Sequence, residues 1–149
     1  MVRHYGLDTG DAVLDVGCAK GFLVKDFQDL DIDAYGIDVS RYAIRNAVTK
    51  NCQVGNAHDI PFAPLQFDLA VSINTLHNLH RSGVARALRE MKRVATNQYI
   101  VVDAWRTPQE KKNIMDWNLT AKTIMHVDDW LAFFRKVGYT GDWCWTINS

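Results

Sequence analysis

Short, mostly apolar runs bounded by turn residues recur along the first 104 residues of the chain. The first run follows Thr9-Gly10-Asp11 and stops at Gly17, and residues 67–73 give the strongest signal. Runs of this length favour strands that are buried on both faces of a sheet. The pattern predicts strands at residues 12–16, 34–39, 52–54, 67–73 and 99–104, with a final strand at 142–147.

The segments between these strands carry apolar residues at helical spacing. In the first segment those residues are Phe22, Leu23, Phe27 and Leu30, and Ser40 is a residue type that caps helices. The spacing predicts helices at residues 20–30, 40–50, 83–95, 109–123 and 127–137. In the last helix we expect four residues to face inward: Trp130, Leu131, Phe134 and Val137.

The alternation of strands with helices predicts a doubly wound α/β fold with a mostly parallel sheet, because each crossover helix covers one face of the sheet. The 149 residues and the 48% hydrophobic content are enough for one core. The sequence contains no repeat, low-complexity tract or linker that would divide it. We therefore expect residues 1–149 to form a single domain.

The charge balance argues against two classes of partner. Seventeen basic residues match seventeen acidic residues, which leaves no net positive field to attract a nucleic acid or an anionic membrane. No stretch approaches the roughly 20 apolar residues that cross a bilayer, and the N-terminus has no signal-peptide core. We therefore expect a cytoplasmic protein with no membrane partner. Three cysteines, far apart and odd in number, favour reduced thiols: Cys18, Cys52 and Cys144.

The residues that follow the first two predicted strands are suited to bind a ligand. In an open α/β sheet, ligands bind beyond the carboxyl ends of the strands. Gly17 and Gly21 lie in the turn after the first strand, where glycine lets the backbone turn sharply and approach a ligand closely. Asp38 ends the second strand, where its carboxylate can accept hydrogen bonds from both hydroxyls of a ribose.

A dinucleotide fold also combines a glycine-rich turn with an acidic residue about 20 residues further on, so these two features do not distinguish the cofactors. When Gly17 is aligned with the first glycine of the fingerprint G-x-G-x-x-G, Ala19 and Phe22 stand at the other two glycine positions. The Ala19 methyl group obstructs a pyrophosphate, and the Phe22 ring prevents close helix packing. The turn therefore disfavours a nicotinamide dinucleotide.

Four stretches of the chain resemble the motifs of class I S-adenosylmethionine-dependent methyltransferases. They are VLDVGCAKGF at 13–22, GIDVS at 36–40, GNAHDIPF at 55–62 and FDLAVS at 67–72. Each stretch is a weak signal alone, but the four occur in the order and with the spacing of that family. The resemblance implies a Rossmann-like methyltransferase fold and S-adenosylmethionine as the cofactor.

The resemblance also assigns roles at that cofactor. It implies that Asp15 lies near the amino group and that Asp38 binds the ribose. A sulfonium cofactor has no phosphate, so its site needs hydrogen-bond acceptors and apolar walls rather than cations. The two glycines would line the methionine, and Ser72 and Ile73 would close the pocket beside it. Asn56 and Ala57 would contact the edge of the adenine, and Val39 and Ile60 would pack against the faces of its ring. The cofactor-binding residues so implied are Asp15, Gly17, Cys18, Ala19, Gly21, Asp38, Val39, Asn56, Ala57, Ile60, Ser72 and Ile73.

Ordinary structural roles explain each of these residues equally well when it is taken alone. Asp15 could cap the turn, Asp38 could cap the helix that follows Ser40, and Ile60 could pack within a loop. Asp68 is expected to have no chemical role. Only the joint occurrence of the motifs favours a binding site.

His77 and His80 follow the fourth predicted strand at a spacing that could place both on one helical face as metal ligands. No nearby cysteine or carboxylate completes a ligand set, so we expect no metal. A solvent-facing or hydrogen-bonded histidine is the simpler interpretation. The resemblance places this segment at the mouth of the pocket, where His77 is a candidate to contact the substrate or accept a proton.

All five tryptophans lie in the second half of the chain, where core packing is their usual explanation. We expect Trp130 and Trp145 in the core. Trp105 and Trp117 remain candidates for a substrate cavity.

The motifs and the neutral charge favour methyl transfer to a small-molecule acceptor. No Asn-Pro-Pro-Tyr type sequence follows the fourth strand, which argues against methylation of a nucleobase amine. About eleven residues precede the first strand, and there is room for one strand after the last helix. We therefore expect a minimal domain, in which a protein partner or a second copy could exclude water. The alternative is a non-catalytic cofactor-binding or interaction module, and a nucleotide-sugar or nicotinamide enzyme is the third hypothesis.

Overall fold

Strands and helices alternate along residues 1–148, which the computed structural model describes. Its strands are β1 (Ala12–Val16), β2 (Asp33–Asp38), β3 (Cys52–Val54), β4 (Phe67–Ile73), β5 (Ala95–Trp105), β6 (Met125–His126) and β7 (Asp142–Thr146). Its helices are α1 (Val2–Tyr5), α2 (Phe22–Gln28), α3 (Arg41–Arg45), α4 (Arg81–Val94), α5 (Pro108–Trp117) and α6 (Val127–Val137). A 3-10 helix, Leu76–Asn78, lies between β4 and α4.

The strands form one sheet in the order β3-β2-β1-β4-β5, and β6 and β7 each pair with β5. Each of these pairings is parallel. Within the sheet, Asp15 of β1 stands opposite Gly36 of β2 on one side and Val71 of β4 on the other. The strand order reverses between β1 and β4, which is where ligands bind in such sheets. The predicted doubly wound, parallel α/β fold is confirmed.

Two apolar clusters cover the two faces of the sheet. Neighbouring residues of β1 alternate between them, since Leu14 belongs to the cluster that contains α4 and α6, and Val13 to the cluster that contains α2. This alternation is what a strand buried on both faces requires. It explains why nearly continuous apolar runs predicted the strands.

The apolar runs gave the bounds of β1, β3 and β4 as the structure has them, and the bounds of α6 agree as well. The fifth strand begins at Ala95 rather than at residue 99. Ala95 pairs with Phe67, and the intervening Thr96, Asn97 and Gln98 are polar residues that the apolar pattern could not include. Pairing with β4 therefore extends this strand beyond its hydrophobic signal.

The apolar residues whose spacing predicted the first helix do not all lie on its buried face. Phe22 and Leu30 are 63% and 59% exposed, and α2 instead buries Val24 and Phe27. Val24 packs against Gly36 of β2, where a Cβ would lie 2.9 Å from a Val24 methyl carbon. The room left by this glycine favours Val24 as the inward residue.

Five other predicted elements also differ from the structure, and two of them, β2 (Asp33–Asp38) and α4 (Arg81–Val94), are shifted by only one or two residues. Ser40 caps α3 as expected, with its hydroxyl accepting from the Ala43 N–H at 3.1 Å, but the helix ends at Arg45. The predicted helix 109–123 ends at Trp117, because the Asn118 side chain accepts from the N–H groups of two following residues and closes a turn. The predicted final strand, 142–147, ends at Thr146. α1, β6 and the 3-10 helix are too short for periodicity to predict.

No helix in residues 1–148 has the length and apolar content needed to cross a membrane.

Candidate functional site

A cleft of about 390 Å³ opens beyond the carboxyl ends of β1, β2 and β4. We call it the strand-tip cleft. A volume of this size is typical of small-molecule sites. The residues in its walls are Gly17, Ala19, Ile37, Asp38, Val39, Gly55, Asn56, Ala57, Ile73, Asn74, Thr75, Asn78 and Leu79.

Gly17 joins the tips of three strands at the base of the strand-tip cleft. Its φ of +90° lies in the region that favours glycine, and its N–H donates to the Ile37 carbonyl of β2 at 2.8 Å. A Cβ at Gly17 would lie 2.3 Å from two atoms of the Thr75 side chain, which follows β4. Any larger residue at position 17 would therefore displace Thr75 from the cleft wall.

Asp38 binds two backbone N–H groups and still has acceptor capacity. Its Oδ2 accepts from Ala19 at 2.9 Å and its Oδ1 accepts from Ser40 at 2.8 Å. The second bond closes a turn onto Ser40, so Asp38 supports the residue that caps α3 and is not itself the cap that sequence reasoning offered as the structural explanation. A carboxylate has about four lone-pair sites, so about two remain for a ligand in the strand-tip cleft.

Asp15 lies behind the cleft wall and is only 5% exposed. Burial, with a further contribution from the charge of Asp38, raises the pKa of Asp15 to about 7. The nearby charge of Asp38 adds to the effect of burial and disfavours the ionised form of Asp15. The base of the strand-tip cleft is therefore a region of unbalanced negative charge.

The strand-tip cleft brings together seven of the twelve residues predicted for the cofactor: Gly17, Ala19, Asp38, Val39, Asn56, Ala57 and Ile73. The other five support the wall from behind or lie in the core: Asp15, Cys18, Gly21, Ile60 and Ser72. The Ser72 hydroxyl is fully buried and donates to the Val16 carbonyl at 2.8 Å, which ties β4 to β1. Ile60 is 2% exposed and belongs to the apolar cluster that contains α4 and α6.

Cys18 and Gly21 also act within the fold. A Cβ at Gly36 would lie 2.6 Å from the Cys18 sulfur, and a Cβ at Gly21 would lie 2.4 Å from the Cys52 sulfur. Gly21 has a φ of +75° and forms the N-cap of α2. Burial raises the pKa of both thiols, and all three cysteines of the chain are free.

Six wall residues were not among the predicted ones: Ile37, Gly55, Asn74, Thr75, Asn78 and Leu79. Four of them follow β4 directly, so the rule that ligands lie beyond strand ends could have found them. Asn74 has a φ of +51°, a left-handed conformation that asparagine tolerates better than most residues. The family resemblance places the segment that contains Asn74 at the mouth of the pocket but does not name Asn74 as a site residue.

His77 lies in a different cavity, of about 290 Å³, which we call the side cavity and which Asp103 and Trp117 also line. The His77 Nδ1 accepts from the Asp103 backbone N–H at 3.1 Å, and burial lowers the pKa of the ring. The neutral ring therefore carries its proton on Nε2, which makes this nitrogen a hydrogen-bond donor rather than a base. In residues 1–148, no three His, Cys, Asp or Glu side chains are placed to hold a metal ion.

The tryptophans follow the expected division only in part. Trp130 is fully buried, which confirms its core assignment, whereas Trp145 is half-buried and packs against the apolar cluster that contains α4 and α6. Trp117 is 67% exposed at the side cavity, whereas Trp105 packs edge-on against His126 and lies below the Lys111 ammonium group. Only Trp117 is thus placed to contact a small molecule in either cavity.

A larger groove of about 490 Å³ lies between α4 and α6, with Arg81, Arg89 and Lys136 among its residues. It lies away from the strand ends and contains none of the predicted site residues. We assign the candidate site to the strand-tip cleft because the tips of β1, β2 and β4, the Asp38 carboxylate and the close backbone approach at Gly17 meet there.

Solved structures with this fold are similar to the chain at low sequence identity. A SAM-dependent methyltransferase from Archaeoglobus fulgidus aligns with 18% identity and a TM-score of 0.71 over 92% of this chain and 65% of its own. The [4+2]-cyclase SpnF aligns with 22% identity and a TM-score of 0.72 over 91% of this chain and 54% of its own. A further chain comes from a complex that contains the Haloferax volcanii Trm112 methyltransferase activator. It aligns with 20% identity and a TM-score of 0.73 over 92% of this chain and 66% of its own.

The chain thus spans between 54% and 66% of the length of these solved chains. No curated protein matches it in sequence. A family model described as "Methyltransferase domain" matches residues 14–102, a segment that runs from β1 through most of β5 and includes the strand-tip cleft. The chain belongs to this methyltransferase domain family.

Proposed function

We propose that the chain binds S-adenosylmethionine in the strand-tip cleft and transfers its methyl group to a small-molecule acceptor. The observation that carries the proposal is the charge of the cleft walls. Asp38 is the single ionisable residue among the wall residues that the structure describes, and Asp15 lies just behind it. Such walls attract a cationic sulfonium and repel a pyrophosphate.

The wall residues also fit the other parts of this cofactor. The lone pairs that Asp38 keeps can accept from ribose hydroxyls, and such bonds to a charged acceptor are worth about 1.5 to 3 kcal/mol each. Asn56 uses its amide oxygen to accept from the His58 N–H at 2.9 Å, and its amide nitrogen has no acceptor within residues 1–148. That nitrogen can donate to a ring nitrogen of adenine, beside the apolar Val39 and Ala57.

When bound, S-adenosylmethionine supplies a methyl group that is activated by a positively charged sulfur. The chain's own task is then to position the two reactants. The bonds from Gly17 and Ala19 to β2 fix the turn that forms one side of the cleft. Holding reactants in near-attack geometry can supply about 7 to 11 kcal/mol, so the reaction does not require a strong catalytic group.

Support for a small-molecule acceptor comes from the equal numbers of basic and acidic residues and from the size of the neighbouring side cavity. A protein partner or a second copy is part of the proposal as a means to exclude water. One structural neighbour is found in a complex with a methyltransferase activator, which gives a precedent in this fold. Another is named as a cyclase, so the fold alone does not decide the reaction.

Calorimetry with S-adenosylmethionine and with its demethylated product tests the site. Asp38→Asn removes the charge at nearly constant size, and we expect affinity for both ligands to fall about 10- to 100-fold. Asp33→Asn is the matched control, because Asp33 lies at the opposite end of β2 and is exposed. Thermal melting of each variant verifies that it is folded.

A second pair of variants tests the charge argument without removing any hydrogen bond. Val39 is 69% exposed in the cleft wall, so the fold tolerates a longer side chain there. We expect Val39→Lys to weaken binding of the sulfonium more than binding of the uncharged thioether product. Val39→Glu, of similar size, should not do so.

Four results would count against the proposal. Unchanged affinity of Asp38→Asn would reject the site assignment, and equal effects of Val39→Lys and Val39→Glu would reject the charge argument. Tight binding of NADH without competition by S-adenosylmethionine would favour a nicotinamide enzyme. Binding without any labelled acceptor in a radiolabelled methyl-transfer screen of cell extract would favour the non-catalytic module.

A further inference from the structure

The side cavity contains a buried carboxylate that has no hydrogen-bond donor. Asp103 is 5% exposed, and its backbone is fully engaged, since its N–H donates to His77 Nδ1 and its carbonyl accepts from Trp130 Nε1 at 3.0 Å. Its Oδ1 lies 3.6 Å from His77 Nδ1, which is itself an acceptor. Within residues 1–148 no group donates to this carboxylate. The carboxylate lies in the wall of the side cavity and its oxygens are open to it, so a ligand in this cavity can supply the missing donor.

The same cavity offers N–H donors that also lack partners. The Asn74 amide oxygen accepts from the Thr146 hydroxyl at 2.7 Å, and the Asn78 amide oxygen accepts from the Thr120 hydroxyl at 2.8 Å. These bonds fix both amides so that their nitrogens remain available, because neither has an acceptor in the described chain. Together with the protonated Nε2 of His77, they can donate to an oxygen of a ligand.

The rim of the side cavity is apolar. Trp117 and Leu119 are 67% and 95% exposed, which is unusual for two large apolar residues so close together. The loop that carries Leu119 is held in place, because the Lys122 N–H donates to the His77 carbonyl at 2.8 Å and the Thr123 hydroxyl donates to the Leu79 carbonyl at 2.6 Å. A flat apolar molecule could stack against this fixed rim.

The side cavity and the strand-tip cleft share a wall. Asn74 and Asn78 line both of them. A molecule in the side cavity would therefore lie next to whatever occupies the strand-tip cleft. Transfer of a small group between two bound molecules requires that their binding sites adjoin in this way.

We propose that the side cavity binds a small molecule with a hydroxyl group on a flat apolar body, and that Asp103 is the base that accepts the hydroxyl proton. The inference rests on the proposed function for the source of the methyl group. The hydroxyl oxygen forms a bond to the methyl carbon while the carbon–sulfur bond breaks, and the electron pair of that bond stays on sulfur. The hydroxyl proton passes to the Asp103 carboxylate and then to solvent.

Two features suit Asp103 to this role. Burial raises the pKa of its carboxyl above the usual range, and a carboxylate with a raised pKa is a stronger base than an exposed one. Its bonds to His77 and Trp130 also fix the backbone, so the carboxylate does not need to be positioned by the substrate. His77 acts beside it as a donor to the substrate oxygen.

The test is binding of two probes to the protein without any methyl donor. 2-Naphthol has the hydroxyl group, and 2-methoxynaphthalene has the same apolar body without it. We expect the parent protein to bind 2-naphthol about 10-fold more tightly, because a hydrogen bond to a charged acceptor is lost with the hydroxyl. Fluorescence titration of each probe gives the two affinities.

Variants separate the polar from the apolar contribution. Asp103→Asn should reduce the preference for 2-naphthol to about 3-fold, since a neutral acceptor replaces a charged one. Trp117→Ala should lower the affinity for both probes by a similar factor, so the preference for 2-naphthol should stay the same. Asp116→Asn is the control, because Asp116 adjoins Trp117 on α5 but pairs with Lys112 at 2.7 Å outside the cavity.

Equal affinity of the parent for the two probes, or an undiminished preference in Asp103→Asn, would overturn the inference. The comparison of the two probes in the parent holds even if a variant does not fold. Calorimetry with S-adenosylmethionine on the same samples keeps the two proposals apart. Asp103→Asn should retain the parent's affinity for it, and a parent that binds 2-naphthol but not S-adenosylmethionine would contradict the proposed function alone.

Discussion

Replacing Asp15 by asparagine should stabilise the protein at neutral and alkaline pH. Asp15 lies inside the sheet, opposite Gly36 and Val71, and is 5% exposed. Burial first, and the charge of Asp38 second, raise its pKa from 3.8 to about 7. The folded protein therefore holds the Asp15 proton more tightly than the unfolded chain does, and ionisation of this group opposes folding.

The sign and size follow from the two pKa values. The stability linked to Asp15 is fully present below pH 4, and it is lost as the pH rises through about 7. At 1.36 kcal/mol per pKa unit, the complete loss is about 4 kcal/mol, of which about 3 kcal/mol falls between pH 5 and pH 8. An asparagine amide does not titrate, so Asp15→Asn avoids this loss.

Urea unfolding at pH 5 and pH 8 measures the effect. The free energy of unfolding of Asp15→Asn minus that of the parent should increase by about 3 kcal/mol over this range. Equal m values would indicate that both proteins unfold by exposing the same surface. Asp33→Asn is again the control, because it removes the same charge from an exposed position on the neighbouring strand.

A difference in unfolding free energy that stays constant between pH 5 and pH 8 would refute this reasoning. It would mean that Asp15 has the same pKa in the folded and unfolded states. The binding role proposed for Asp15 leads to the opposite expectation for function. The stabilised variant should bind S-adenosylmethionine less well than the parent, a frequent relation between stability and activity at functional sites.

Four substitutions outside the strand-tip cleft test the hydrogen bonds and the packing of the fold. Ser72→Ala removes the buried bond to Val16 and should cost about 1 kcal/mol in urea unfolding. Thr107→Ala removes the capping box that Thr107 and Glu110 form at α5 and should also cost about 1 kcal/mol, seen as a lower Tm. Trp130→Ala should cost about 3 to 5 kcal/mol, whereas Trp143→Ala, at a 43% exposed position, should cost much less.

The sheet could be predicted from the sequence because parallel strands buried on both faces leave a continuous apolar signal. β4 shows this, since the apolar run at residues 67–73 gives its bounds as the structure has them. The sequence was a weaker guide to which face of a helix is buried. Phe22 and Val24 both fit the apolar spacing of α2, and only the space above Gly36 decides between them.

The strand-tip cleft was predictable for a different reason. Its residues follow strand ends directly, so a correct strand assignment brings Gly17, Asp38 and Ile73 together without further knowledge of packing. The side cavity has no such signal. Asp103 belongs to a strand, Trp117 ends a helix and Thr146 ends β7, and no local pattern indicates that these three residues meet.

One electrostatic feature connects the stability and the ligand of this protein. Asp15 and Asp38 place negative charge beside a cleft that has no basic residue among its described walls, and the raised pKa of Asp15 shows that the fold opposes this charge. A group that destabilises the fold is expected where a ligand uses it. A phosphate would add to the repulsion, whereas a sulfonium or ammonium group would relieve it by attracting the ionised form. The pH dependence of Asp15→Asn and the difference between Val39→Lys and Val39→Glu therefore test the same property, and both must hold if the cleft selects a cation.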